Sequence, residues 1–342
     1  MKAMVLYKFG EPLKMDEVKT PKIGSDEVLV RVKACGVCHT DLKIYSGEVP
    51  TVTLPHIMGH EVAGDVVEVG ERVENLKEGD SVVLYPYITC GNCYYCRISR
   101  ENICENLFTL GRIGFEVNGG FAEYVRIPAR NAFKFSEKLS YEKVAVLPDA
   151  VVAPFRAIQK QGRVKAGDDV VIIGLGGLGI HGVQIAKALG ARVLAVDILD
   201  EKVRLAEEFG ADVAVNVAKT GFISAVKKFT DGKGADVVVD FVGNSKTLKQ
   251  GFESLKNGGK LVIVGYEYGV DFQIPPSRVV YYDLEIAGSR GGTRQDLADV
   301  IKLTEMGKIK PVVSQVLSLE DANKALELLK EGKVLGRIVL KV

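Results

Sequence analysis

Tryptophan is absent from this chain of 342 residues, histidine occurs only four times, and acidic and basic residues nearly cancel, leaving a formal net charge of +1. With no basic block and no interleaving of basic and aromatic residues, nothing in the chain is suited to following a nucleic-acid backbone. No uninterrupted apolar run reaches the roughly 20 residues that a membrane-spanning helix needs. The opening stretch Met1–Met15 lacks an apolar core followed by a small-residue cleavage site. No secretory signal is therefore expected, and a cytoplasmic location is. Long repeats and low-complexity linkers are missing as well. Cysteine is absent outside positions 35–104, where all six residues fall. In an intracellular protein that grouping suits metal better than disulfides. Abundant Lys and Glu beside the lack of Trp fit a thermophilic source. What remains is 47% apolar and 26% charged, an ordinary globular composition, and the length suits about two domains.

The stretch from Asp169 to Asp197 organises the rest. Asp169–Ile173 is a short apolar run rich in β-branched residues, as expected of a strand buried on both faces. It leads into Gly174-Leu-Gly176-Gly177-Leu178-Gly179. A helical pattern follows through Val183, Ile185 and Leu189, stops at Gly190, and gives way to a second apolar strand ending at Asp197. In such a unit the first glycine allows the turn, the second lets backbone approach a pyrophosphate, and the third lets helix pack on strand. The helix N-terminus offers free N–H groups to phosphates. Asp197 can accept hydrogen bonds from both ribose hydroxyls and would repel a 2′-phosphate, which favours NAD over NADP. The plainer alternative is a glycine-rich turn without a ligand.

Before this unit, Lys2–Tyr7, Glu27–Ala34, Glu61–Val69, Asp80–Leu84 and Ala122–Pro128 read as short strands separated by Gly, Pro and Asp turns. Helical spacing starts near Ser140 and again over Val151–Gln161. After the opening unit, helices at Asp200–Phe209, Gly221–Thr230 and Ser245–Leu255 alternate with strands at Val213–Asn216, Ala235–Asp240, Lys260–Val264 and Glu285–Ser289. That alternation predicts a doubly wound parallel sheet of about six strands, a Rossmann domain. Helices at Arg294–Met306 and Glu320–Lys330 and a strand at Arg337–Val342 close the chain. This tail reads as a return to the first domain.

Cys90-x-x-Cys93-x-x-Cys96-x₇-Cys104 supplies four thiols, enough to close a tetrahedron around Zn²⁺ with no position left for water. Such a site is structural. Surface cysteines or two disulfides are the alternative. A second constellation is scattered: Cys38 in Gly36-Val-Cys-His-Thr-Asp41, His60 in Gly59-His-Glu61, and Asp149 just before the nucleotide-binding stretch. One thiolate, one imidazole and one carboxylate would leave a fourth zinc position open, as catalysis requires. No sequence rule alone joins residues so far apart, and His60 and Asp149 also read as ordinary polar residues.

Taken together, the motifs make the chain similar from end to end to the zinc-dependent medium-chain alcohol dehydrogenases. The matching stretches are GVCHTD, the GHExxGxVxxVG pattern at Gly59–Gly70, Gly79-Asp-Ser-Val82, the four-cysteine lobe, GGFAEY at Gly119–Tyr124, GLGGLG, and the residues Gly291–Arg294. The resemblance implies an α/β protein with a GroES-like β-rich catalytic domain, 1–150 completed by 288–342, and a Rossmann domain at 151–287. The active site would lie in the cleft between them. It implies Cys38, His60 and Asp149 as catalytic zinc ligands, Asp149 standing where many members carry Cys or Glu. Glu61 matches a residue that in some members approaches the metal. Thr40 matches the first hydroxyl of a proton relay. His39 fits a position near the pyrophosphate, Lys202 one near the adenosine ribose, and Val264 and Gly265 positions on the nicotinamide side, with Ser289 a further cofactor-binding position. Two zinc ions and NAD are the implied cofactors, an alcohol and its aldehyde or ketone the substrates, and a homodimer or homotetramer the assembly. Relatives pair near the strand Lys260–Val264 and the apolar run Val279–Tyr282.

Two positions depart from the family. Lys43 stands where a histidine often completes the relay, and Ala153 where a threonine often packs behind the nicotinamide. Cys35 reads as a buried small hydrophobe, His56 as a surface or packing residue, His181 as a neighbour of the cofactor, and Tyr94 and Tyr95 as packing for a core-poor lobe. A specialised relative acting on a polyol, threonine or a cyclic hydroxyacyl-CoA competes with a general alcohol dehydrogenase; the stretch Leu147–Phe155 is similar to the last of these. A zinc-free quinone reductase using NADPH would need neither Cys38 with His60 nor the cysteine lobe. A non-catalytic binding role has no use for the full set.

Overall fold

The structure, a computed structural model, describes all 342 residues and divides into two compact units. The first comprises Met1–Asp149, Gly292–Glu305 and Pro311–Val342, and the second Ala150–Gly291 and Met306–Lys310.

The first unit is built on β-sheet. Val28, Val30 and Val32 alternate with more exposed residues along a strand that extends over Glu27–Val37, three residues beyond the expected end. That strand pairs antiparallel with Glu61–Val69, Tyr124–Pro128 and Arg337–Lys341. Ser81–Leu84 and Ala132–Lys134 extend the sheet on one side, and Val313–Ser318 edges the other. A smaller sheet has the order Lys14–Glu17, Lys2–Leu6, His56–Ile57. Val30, Val62, Phe121, Leu326, Ile338 and Leu340 belong to one buried core, so the end of the chain is packed into the domain that its beginning starts. No helix is long and apolar enough to cross a membrane.

The second unit is a six-stranded parallel sheet in the order Val213–Asn216, Arg192–Asp197, Asp169–Ile173, Ala235–Asp240, Leu255–Ile263, Glu285–Gly288. Numbered along the chain, this is the order 3-2-1-4-5-6 of the doubly wound dinucleotide-binding fold. Val171, Leu194, Val238 and Leu261 form its core with Phe222, Phe229 and Phe252 from the covering helices. The helix after the glycine loop spans Gly179–Ala188. A Cβ on Gly179 would fall 1.8 Å from the carbonyl oxygen of Gly174, so only glycine lets the helix start this close to the strand.

Several boundaries differ from the sequence reading. The segment Val151–Gln161 is not one regular α-helix. Wide turns at Leu147–Val151 and Arg156–Gln161 flank a single α-turn at Val152–Phe155, and Asp149 lies in the first. The strand expected at Lys260–Val264 runs over Leu255–Ile263 and is covered on its outer side by Glu285–Gly288. Val213–Asn216 is one edge of the sheet and Glu285–Gly288 the other. Val279–Tyr282 lies in a helix, Pro276–Tyr282, beside it.

Candidate metal and cofactor sites

Strand register gathers the scattered constellation. Gly36 stands opposite Glu61 on one side and Val339 on the other, and Val37 opposite Ile338. The three strand ends thus bring Cys38, His60–Glu61 and Arg337 together. Gly36 is needed there, because a Cβ would lie 1.9 Å from Glu61 Oε2. Cys38 caps the short helix His39–Tyr45, and its N–H donates to Asp41 Oδ2 at 2.8 Å. Asp149 arrives from its wide turn, a backbone form frequent at functional sites.

Ligand atoms of Cys38, His60, Glu61 and Asp149 all lie within 4.8 Å of one another. Cys38 Sγ is 3.3 Å from Asp149 Oδ2, and His60 Nε2 is 3.9 Å from the same oxygen. The other imidazole nitrogen, Nδ1, faces Asp41 Oδ1 at 3.6 Å. The two atoms are just beyond hydrogen-bond reach and neither has another partner; a carboxylate on this side is where the far nitrogen of a metal-ligating histidine finds one. Thr40 Oγ1 lies 3.8 Å from Cys38 Sγ.

The electrostatics are unusual for a buried site. Arg337, 4% exposed, donates from Nε to Glu61 Oε1 at 2.9 Å and from Nη2 to Asp149 Oδ2 at 2.8 Å, with Cys38 Sγ at 3.4 Å. Burial pushes the Glu61 carboxyl up to about 8, with Arg337 offsetting part of the rise. Burial raises the Cys38 thiol as well, against the pull of Arg337. Asp149 goes the other way: although burial opposes it, His60 and Arg337 hold its carboxyl well below the usual range. His60 is held well above the usual histidine value because Asp41 and Asp149 outweigh burial. Glu61 Oε2, His60 Nδ1 and Asp41 Oδ1 are all buried without a hydrogen-bond partner, and the ligand atoms of Cys38, His60, Glu61 and Asp149 converge on one point. Donor types, spacing and charge all fit zinc.

The four-cysteine set fits it equally. Cys90 Sγ is 3.5 Å from Cys104 Sγ and 3.9 Å from Cys96 Sγ, and Cys93 Sγ is 3.9 Å from Cys104 Sγ. Sulfurs each about 2.3 Å from one zinc stand about 3.8 Å apart in a tetrahedron. Backbone N–H groups of Asn92 and Cys93 pull the Cys90 thiol down to about 6, and the N–H of Cys90 also donates to Cys104 Sγ at 3.4 Å. Tyr94 stands exposed, edge-on to Tyr95, and does not fill the lobe.

In the second unit, Asp197 ends its strand as expected. Its Oδ2 accepts the Leu175 N–H at 2.8 Å, and Oδ1 accepts the N–H groups of Ile198 and Leu199. The glycine loop thereby fixes the acid beside Gly174, Gly176, Gly177 and Leu178. Lys202 lies half-buried in the next helix, Asp200–Glu208. Val264 and Gly265 donate to the carbonyl of Asp240, and Ser289 N–H to Ile263 O at 2.9 Å. His181 is buried, its Nδ1 2.7 Å from Gly177 O. In the first unit His39 is exposed at its helix start, Lys43 half-buried in the same helix, and Cys35 and His56 buried. His56 is thus not a surface residue.

Sequence reasoning missed Arg337 and Asp41. The signal for Arg337 was a buried charged residue heading the apolar run Ile338–Leu340 of the strand Arg337–Lys341.

A metal centre of this kind in a GroES-like unit, with a dinucleotide-binding sheet in the same chain, defines a class of oxidoreductase, and comparison with known proteins agrees. The family model described as "Alcohol dehydrogenase GroES-like domain" matches residues 24–137, and "Zinc-binding dehydrogenase" matches 177–306. An NAD-dependent alcohol dehydrogenase of Sulfolobus acidocaldarius is 41% identical, all of both chains being covered. An alcohol dehydrogenase of Geobacillus stearothermophilus is 40% identical, over 100% of this chain and 99% of that one. The crystal structure of the alcohol dehydrogenase of Aeropyrum pernix superposes with a TM-score of 0.92 at 37% identity, covering both chains fully. The chain belongs to the zinc-dependent medium-chain alcohol dehydrogenase family.

Proposed function

We propose that this protein reversibly oxidises an alcohol with NAD⁺, giving an aldehyde or ketone. The observation that carries the reading is the gathering of Cys38, His60 and Asp149, with Glu61, into one cluster of the first unit, buried but for Asp149. A zinc ion held there would act as Lewis acid towards the alcohol oxygen, and NAD⁺ would supply the hydride acceptor. Asp41 orients His60 so that Nε2 points to Cys38 and Asp149. The Thr40 hydroxyl, 3.8 Å from Cys38 Sγ, would take the alcohol proton while passing its own on to water, and Lys43 on the same helix accepts one only after its ammonium has lost a proton. Asp197, at the end of its strand and held by the Leu175 N–H, would repel a 2′-phosphate. The four cysteines would hold a second zinc, with a structural role, and the reading is of a cytoplasmic enzyme.

A panel of primary, secondary and cyclic alcohols assayed for NADH formation tests this. Oxidation is expected with kcat/KM for NAD⁺ at least about tenfold above that for NADP⁺, since a misplaced charge pair costs on the order of 1.4 kcal/mol or more. Asp197→Gly combined with Ile198→Arg should narrow or reverse the ratio. Equal kcat/KM for the two cofactors in the unmodified protein would sink the NAD assignment. NADPH-dependent quinone reduction without alcohol oxidation would replace the whole reading.

The reading includes a homo-oligomer. Val280 and Tyr281 are 76% and 83% exposed beside the free strand edge Glu285–Gly288, where Ile286 is exposed too. Natural proteins seldom leave such an edge and apolar patch bare. Sedimentation at micromolar concentration should give a dimer or tetramer, and Tyr281→Asp should shift it towards monomer; a monomeric unmodified protein would contradict this.

A further inference from the structure

The loop 111–121, just after the cysteine lobe, is fastened to the segment that carries His60. Gly119 N–H donates to Ile57 O at 2.7 Å, Gly120 N–H to Gly59 O at 2.8 Å, and Phe121 N–H to Met58 O at 3.0 Å. Within this loop Arg112 and Glu116 close on each other. The backbone N–H and Nε of Arg112 both reach Glu116 Oε2 at 3.0 Å, and Nη2 reaches Oε1 at 2.6 Å. Thr51 Oγ1 donates to the same Oε1 at 2.5 Å. Each side chain of the pair is only 10% exposed. A buried ion pair contributes little net stability against an apolar pair of the same size, but a two-pronged guanidinium–carboxylate fork fixes direction.

That fixed guanidinium lies over an aromatic ring. Its central carbon is 3.9 Å from the centroid of the buried Phe115 ring, close for a cation–π contact, and 5.1 Å from that of Phe108. Phe115 in turn meets the imidazole of His60, with ring centroids 5.1 Å apart and planes at 44°. Asp41 faces only Nδ1 of that imidazole, and a contact at one nitrogen leaves the ring free to tilt about the line of that contact. Phe115 packs against the ring itself. Phe115 can restrain His60 only as well as it is restrained, and Arg112 stacked on its ring adds to the restraint of the surrounding core.

We propose that Arg112 is a positioning residue for the catalytic centre: clamped by Glu116, it holds Phe115 against His60 and so fixes the imidazole that the metal needs. The inference rests on the reading of Cys38, His60 and Asp149 as zinc ligands. Residues that orient a ligand without touching the metal characteristically change metal retention about 10–100-fold when removed.

The test uses the zinc-loaded full chain. Arg112→Met keeps the bulk and removes fork and charge. It is expected to release one zinc to a chelator about tenfold faster, while the four-cysteine zinc leaves at the unmodified rate. Cobalt substituted at the first site should show altered ligand-field bands. Arg112→Lys, which keeps a cation over the ring without the fork, should fall between. Phe115→Leu should reproduce the effect, and the double variant should release zinc no faster than Phe115→Leu alone, because the two residues act in series. Should Arg112→Met fail to fold, Arg112→Lys replaces it, and a folded Arg112 variant with unmodified zinc release and cobalt bands overturns the proposal. Unchanged zinc release and unchanged cobalt bands in folded Phe115→Leu overturn the proposal, as do additive effects in the double variant. An unmodified protein that holds zinc only at its four cysteines overturns the metal reading itself, and this inference with it.

Discussion

Replacing Asp149 with Asn is expected to empty one of two zinc sites and to cut alcohol oxidation by more than about a hundredfold. Zinc with one thiolate, one carboxylate and a neutral imidazole carries no net charge, and the amide would leave that set at +1 with a much weaker donor. The carboxylate faces Cys38, His60 and Arg337, all members of the cluster, so the loss has nowhere else to fall. A helix cap at the same position would cost only about 0.5–2 kcal/mol and leave the chemistry intact. Metal analysis should give two zincs per unmodified chain and one per variant chain. An Asp149→Asn protein that keeps both metals and full alcohol oxidation would show that Asp149 is no ligand.

How visible this cluster was in the sequence depended on distance along the chain. Gly174–Gly179 and Asp197 lie within one strand–helix–strand unit, whose spacing is a local property that periodicity reveals. The four cysteines are local as well. Cys38, His60 and Asp149 were singled out one by one, and only resemblance to a family tied them together. Arg337 stayed hidden because its partners Glu61 and Asp149 are 276 and 188 residues away. Only the register of Arg337–Lys341 against Glu27–Val37 sets it beside them, and register between distant strands leaves no mark in either segment. The helix His39–Tyr45 escaped notice for another reason: seven residues capped by a cysteine show neither a full apolar stripe nor a usual cap. Val313–Ser318 lies on a sheet edge with most side chains exposed, so it lacks the alternation that marks a half-buried strand.

Arg337→Met should be the most destabilising conservative change in the first unit when zinc is stripped. The arginine is buried against Glu61, which is fully buried, and Asp149, 23% exposed. Removing one partner of a buried ion pair typically costs about 3–5 kcal/mol, because the remaining charge has lost both water and counter-ion. For a unit of this size that is roughly 6–20 °C in melting temperature. The loss should be smaller in zinc-loaded protein, where the metal offers Asp149 and Cys38 a second positive partner. Calorimetry on chelated and zinc-loaded samples separates the two cases. If chelated Arg337→Met melts within about 2 °C of unmodified protein, the buried network does not support the fold.

Asp149 is the last residue of the first unit before the chain crosses into the nucleotide-binding sheet, and Arg337, its partner, returns from the far end of the sequence. Along the chain, the last residue of the first module's opening segment is thus also a member of the cluster. Anyone exchanging nucleotide-binding modules among relatives to recombine cofactor and substrate preference would have to cut after Asp149, never before it. The donor of residues 1–149 would have to be the donor of 292–342 as well. Otherwise a chimera whose acid and arginine come from different parents would inherit a carboxylate without the cation that evolved to face it.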